Sequence, residues 1–287
     1  MLGTASTSPS WLLVEEPGPW GPGGVPSSRL GEATTAALRR TAGATSARLL
    51  LVRRPGPSRA AAGGAEPERR TVFRVDCRRG QQRVLVRTCA PGDVAAAAAD
   101  PEGWRPHPGT LLLVCTHGRK DWCCALRGRP VAAALAAVAP EETWECSHLG
   151  GDRFAANVMA LPSGLVHGRV DAADAAGLAA ALRAGRVVPR SLRGRCTDAM
   201  VVQAAEVHAR LALGGDGADD LRPATAARTG EEETWRVVFD DAVRGGRVAV
   251  TVRAGSDPAA RLLTCGADEE QHARTWSLVD LVEEPVA

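Results

Sequence analysis

Short apolar runs separated by glycine, proline and charged stretches recur along the chain, and their periods divide it into three segments. In the first, the runs "WLLVEEPGPWG", "ARLLLVRR", "TVFRVDC" and "QRVLVRTC" predict strands, and "LGEATTAALRRTAG" predicts a helix. A loop, "PGPSRAAAGGAEPERR", interrupts these strands and is expected to be flexible, and "AAAAADPEGWRPHPG" reads as a short helix and a Pro/Gly linker. In the second segment "TLLLVC" suits a buried strand, "CALRGRPVAAALAAVA" a helix and "TWECSH" another strand. "FAANVMAL" and "LVHGRV" follow as a hairpin joined by "PSG", and "DAADAAGLAAALRAG" closes the segment as a helix. The third holds a helix, "DAMVVQAAEVHARLAL", a polar linker and strands "TWRVVFDD", "GRVAVTVRAG" and "RLLTCG".

These patterns predict an α/β fold in three parts: an N-terminal α/β region at 1–108, a central unit at 109–189 and a C-terminal α+β region at 190–287. The central order of strand, helix, strand, hairpin and helix is that of a thioredoxin-like half-sandwich, in which ligands fall on loops at strand ends.

Composition narrows the function classes. The 287 residues suffice for a buried core without disulfide staples. A net charge of +2 argues against a dedicated nucleic-acid or membrane surface, and the alanine, glycine and arginine richness reads as coding bias. No apolar run approaches the roughly 20 residues of a membrane span, and "MLGTASTSPSW" has no basic start followed by an apolar stretch, so a cytoplasmic location is expected. In that reducing setting eight cysteines point to metal or redox chemistry rather than a disulfide framework.

Four cysteines crowd between 115 and 146. Cys115 ends a predicted strand, and Cys124 follows after eight residues at the start of the next helix, where backbone dipoles favour a thiolate. Downstream, "CSHLGGDRFA" offers Cys146, His148 and Asp152 around a Gly150-Gly151 turn. Cys77, Cys89, Cys196 and Cys265 read as small buried hydrophobes. Cys123 neighbours Cys124 with a diverging side chain, and His117 is as well explained as a structural hydrogen bonder as a ligand. His107, His167, His208 and His272 have no soft neighbour. Structural zinc sites use hooks of two to four residues, whereas a longer loop between thiolates wraps more naturally around a two-iron cluster, which puts iron–sulfur modestly ahead. The turn "PGPWG" places Trp20 inward.

The stretches "LLLVCTHGRKDWCCALRGRPVAAAL" and "WECSHLGGDRFAANVMALPSGLVHGRV", with "WLLVEEPGPWG" near the start, resemble the sucrase/ferredoxin-like family of thioredoxin-like ferredoxins. The resemblance covers most of the first 170 residues. In fungal members the motif is a cysteine, eight residues, a cysteine and later His-X-Gly-Gly-His, and it implies a [2Fe–2S] cluster with the cysteines on one iron and the histidines on the other. Carried across, Cys115, Cys124 and His148 match and Asp152 stands where the second histidine would be. The expected ligand set is therefore Cys115, Cys124, His148 and Asp152. Cys146 competes because a thiolate binds ferric iron better than a carboxylate, and Asp152 would alternatively cap a helix beginning near Phe154. Relatives carry residues ahead of "GTAS", so Met1 reads as a late start or a shortened terminus. The resemblance implies a one-electron carrier or redox sensor exchanging electrons with a protein partner. A thiol-based oxidoreductase using Cys123 or Cys124, and a zinc-stabilised interaction module, are the alternatives.

Overall fold

The computed structural model describes residues 1–56 and 69–285, so most of the expected loop at 55–70 lies outside the described residues. The chain forms β1 (Ser10–Glu15), α1 (Glu32–Ala44), β2 (Arg48–Arg53), β3 (Arg70–Asp76), β4 (Arg83–Cys89), α2 (Val94–Ala99) and β5 (Arg105–Pro106). It continues through β6 (Leu111–Cys115), α3 (Trp122–Val138), β7 (Thr143–Cys146), β8 (Val158–Leu161), β9 (Leu165–His167), α4 (Ala175–Arg183) and β10 (Leu192–Arg195). The last elements are α5 (Met200–Leu213), β11 (Leu221–Arg228), β12 (Thr234–Asp241), β13 (Gly246–Leu262) and β14 (Glu270–Pro285). The α/β class expected from the sequence is present.

β1 to β10 form one sheet in the order β10-β9-β8-β6-β7-β2-β1-β3-β4-β5. The expected segment boundary at 108/109 falls between β5 and β6 of this single sheet. The two halves repeat one topology. In the first, β1 lies parallel to β2 and antiparallel to β3, which is antiparallel to β4. In the second, β6 stands in the same relations to β7 and β8, and β8 to β9. An antiparallel contact of β2 with β7 joins the halves.

Alternation along the strands sorts the core. Leu12, Val14, Leu51 and Val72 meet Leu38 of α1 and Val94 of α2, while Leu112, Val114 and Val158 meet Val131 and Leu135 of α3 and Leu178 of α4. The opposite faces of both halves, with Trp11, Leu13, Phe73, Leu113, Trp144 and Met159, share one core. The sheet curls around it so far that Cys77, beyond β3, contacts Cys196, beyond β10. Burial of such apolar surface stabilises by roughly 25 cal/mol per Å², which is why these alternating runs take up strands.

α5 bridges this sheet and a second, antiparallel one in the order β11-β12-β13-β14. Gln203 of α5 fixes the N-terminal segment, accepting from the Ala5 N–H at 3.0 Å and donating to the Ala5, Arg195 and Asp198 carbonyls. The third segment departs from its expected strands: "RLLTCG" is no separate strand, because Arg261 and Leu262 end the long β13 and Cys265 lies in the turn before β14. "FAANVMAL" likewise enters its strand only at Val158. Among the described residues no helix is long and apolar enough to cross a membrane.

Candidate metal centre

Cys115 is the last residue of β6, whose five residues are all buried. Its N–H donates to the Asn157 carbonyl at 3.0 Å, so β8 holds the end of the strand in place. The chain then turns through 116–121, with the Lys120 and Asp121 N–H groups both donating to the His117 carbonyl, and enters α3. Cys124, fully buried in the first turn of α3, comes back over Cys115. The close approach requires glycine one turn further on: a Cβ at Gly128 would fall 2.2 Å from the Cys115 carbonyl oxygen.

His148 follows β7 in the turn Ser147–Asp152. The turn is pinned from outside by its carbonyls. Arg48 Nη2 donates to His148 O at 3.0 Å, Ser6 Oγ to Leu149 O at 2.7 Å, Arg193 Nη1 to Gly150 O at 3.0 Å and Asn157 Nδ2 to Gly151 O at 2.9 Å. Gly151 has φ +74°, and a Cβ there would lie 2.2 Å from Arg193 Nη2, so the guanidinium occupies the space a side chain would need. Arg193 itself is almost fully buried, and burial lowers its pKa to about 10.

With the carbonyls turned out, the Leu149 N–H points inward at Cys115. One ligand atom each from Cys115, Cys124 and His148 lies within 4.8 Å of the others. The Cys124 thiol donates to Cys115. That bond, with those from His148 and the Leu149 N–H, outweighs burial and holds the Cys115 thiol well below its usual range. Cys124, as the donor to a thiolate, is pushed up. Burial opposes a charged His148, but the hydrogen bond to Cys115 and the charges of Cys115, Asp121 and Asp152 prevail and raise its pKa. The structure therefore brings two buried sulfurs and one half-buried imidazole ring together, with Cys115 the sulfur more favoured as an anion.

Asp152 is 2 % exposed and belongs to two neighbouring groups. It lies within 4.8 Å of His148 and Asp121, and equally of Cys123 and Cys265. Its Oδ2 accepts the Cys265 N–H at 3.0 Å and stands 4.0 Å from Cys123 Sγ. In place of the helix-capping alternative for Asp152, only a single 3₁₀ turn, Asp152–Phe154, begins there, and the carboxylate accepts the Cys265 N–H instead. Cys146 pairs in register with Cys115 but is not grouped with Cys124 and His148, and burial pushes its thiol well up. Arg48, half-buried nearby, partly offsets that rise.

His117 is a structural hydrogen bonder: its Nε2 lies 2.8 Å from Gly21 O and its ring meets Trp20 edge-on at 5.9 Å, tying the inward-facing "PGPWG" turn to the site. Two residues escaped sequence reasoning. Asp121 precedes α3, where it looks like a cap, yet its Oδ2 sits 3.4 Å from His148 Nδ1. Cys265, read as a buried hydrophobe, arrives from the tip between β13 and β14. No local motif marks either one.

A family model described as sucrase/ferredoxin-like matches residues 1–194. No curated protein and no solved structure gives a match. The match contains β1 to β9, Cys115, Cys124, His148 and Asp152, and most of the chain; the protein belongs to the sucrase/ferredoxin-like family.

Proposed function

We propose that the protein is a [2Fe–2S] iron–sulfur protein acting as a one-electron carrier or redox sensor, with Cys115 and Cys124 holding one iron and His148 and its neighbour Asp152 facing the other. The observation that carries this reading is the convergence of the buried Cys115 and Cys124 and the half-buried His148 within 4.8 Å of one another. The donor chemistry fits: Cys115 is already favoured as an anion, and metal ligands must be deprotonated. When bound, such a group takes up and releases a single electron at a potential that ligand charge tunes. The chain's own residues exclude water, aim the Leu149 N–H at a ligand sulfur and place Asp121 beside the His148 ring, the kind of outer contact that orients a ligating imidazole. The partner would be a redox protein, and a net charge of +2 gives it little electrostatic steering.

One observation favours a second reading. Three ligand atoms all within 4.8 Å of one another also suit one tetrahedral zinc ion, with Asp121 or Asp152 as the fourth group beside His148. Protein purified without oxygen separates the two. Visible charge-transfer absorption with about two irons and two sulfides per chain supports the cluster. A colourless protein holding one zinc per chain sinks it.

A further inference from the structure

Cys123 and Cys265 share no atom with the Cys115, Cys124 and His148 group, yet the fold brings them together from positions 142 residues apart (265 − 123). Cys123 lies in the first turn of α3, inside the family match, and Cys265 at the β13–β14 tip, far outside it. Their thiols are in hydrogen-bond contact and their sulfurs lie within 4.8 Å of each other. The Asp152 carboxylate fixes the approach by accepting the Cys265 N–H at 3.0 Å.

Both thiols line a cavity of about 810 Å³. Arg127, Arg153 and Arg169 also line it, and Trp122, 61 % exposed, stands at its edge. Two carboxylates, Asp152 and Asp171, share the lining, so arginine is in excess. One oxygen of Asp152, Oδ2, is engaged by the Cys265 N–H, and Arg153 Nη1 is buried with no hydrogen-bond partner.

We propose that Cys123 and Cys265 are a redox-active thiol pair, converted to an intramolecular disulfide by an anionic low-molecular-weight disulfide that enters this cavity. Cys265, the more exposed of the two, reacts first: its sulfur attacks one sulfur of the reagent, breaking the reagent's S–S bond and releasing one thiol. The Cys123 sulfur then attacks the Cys265 sulfur of the mixed disulfide and releases the second thiol. Two protein thiols lose two protons and two electrons, and the reagent disulfide becomes two thiols. The product ties the C-terminal ribbon to the helix that carries Cys124.

The chain contains its own control. Cys77 and Cys196 are also in thiol contact, but both are fully buried and neither lines a described cavity, so the same reagent should leave them reduced.

The test treats the purified protein with glutathione disulfide, traps remaining thiols by alkylation and maps the links by mass spectrometry. Alkylatable cysteines should fall from eight to six on release of any metal, with a Cys123–Cys265 link that dithiothreitol reverses. Cystamine, a cationic disulfide, should react at least fivefold more slowly. Cys265→Ser and Cys123→Ser should each abolish the link. Cys265 left fully alkylatable, or a link to Cys124 persisting in Cys123→Ser, overturns the pair. Equal rates with cystamine overturn the anionic reagent. None of these readouts depends on whether iron or zinc fills the neighbouring centre.

Discussion

Gly128 and Cys115 are in backbone contact: the space beside the Cys115 carbonyl oxygen has no room for even a methyl group at position 128. The contact sets the height of α3 above β6, and so the overlap of Cys124, one helical turn before Gly128, with Cys115.

Gly128→Ala should therefore destabilise the protein by about 3 kcal/mol, since the clash is with backbone that cannot swing aside. Gly177, within α4, has nothing within 4 Å of its would-be Cβ, and Gly177→Ala should stabilise by up to about 1 kcal/mol. Denaturant titrations of both variants check the contrast. Similar midpoints would show that α3 does not need the close approach.

Arg193 holds the turn that carries His148. Arg193→Met keeps its length but leaves Gly150 O, Asn157 Oδ1 and the Thr4 contacts without their charged donor. A loss of about 3 kcal/mol is expected from unsatisfied buried groups, together with metal content falling below half of wild type. Full metal content beside reduced stability would separate the clamp from the centre.

Cys124→Ser should remove the bound metal, and Cys123→Ser should retain it, because only Cys124 is grouped with Cys115 and His148. Iron, sulfide and zinc content per chain give the answer, and the opposite pattern would exchange the two neighbours' roles.

His167 supplies a pH dependence remote from the centre. It is fully buried, its Nδ1 lies 2.9 Å from Ser191 Oγ, and burial lowers its pKa from 6.5 to about 4. The unfolded chain then binds the extra proton first as pH falls. Stability from this group is whole above pH 6.5, declines between about 6.5 and 4, and levels off below, a span of order 3 kcal/mol. Unfolding titrations on wild type and His167→Gln should show that slope flattened in the variant.

What the sequence made legible was local. "LLLVC" and "WLLV" had to be strands because every residue is apolar, and Cys115, Cys124 and His148 were singled out by their soft-ligand crowding together with the motif of the family the chain resembles. The repeated topology of β1–β4 and β6–β9 leaves only a faint trace, the Leu-Leu-Val run that β1 and β6 share, since many apolar sequences satisfy one strand pattern. β14 escaped because its side chains are largely exposed, which leaves no periodicity to read. Asp121 and Cys265 escaped because their partners come from other elements, His148 from the end of the neighbouring strand β7 and Asp152 from a turn that the β13–β14 tip of the second sheet reaches.

The ribbon that delivers Cys265 has a mechanical side. β13 is 17 residues long and its buried positions end at Val252, so some ten residues run on before the tip. At about 3.3 Å per residue that largely exposed arm spans roughly 35 Å, and a swing of about 5° at its root would move the tip by about 3 Å. This displacement equals the whole length of the Cys265–Asp152 hydrogen bond. A load on the exposed ribbon would thus act as leverage on the wall of the candidate metal centre, many residues from where it is applied.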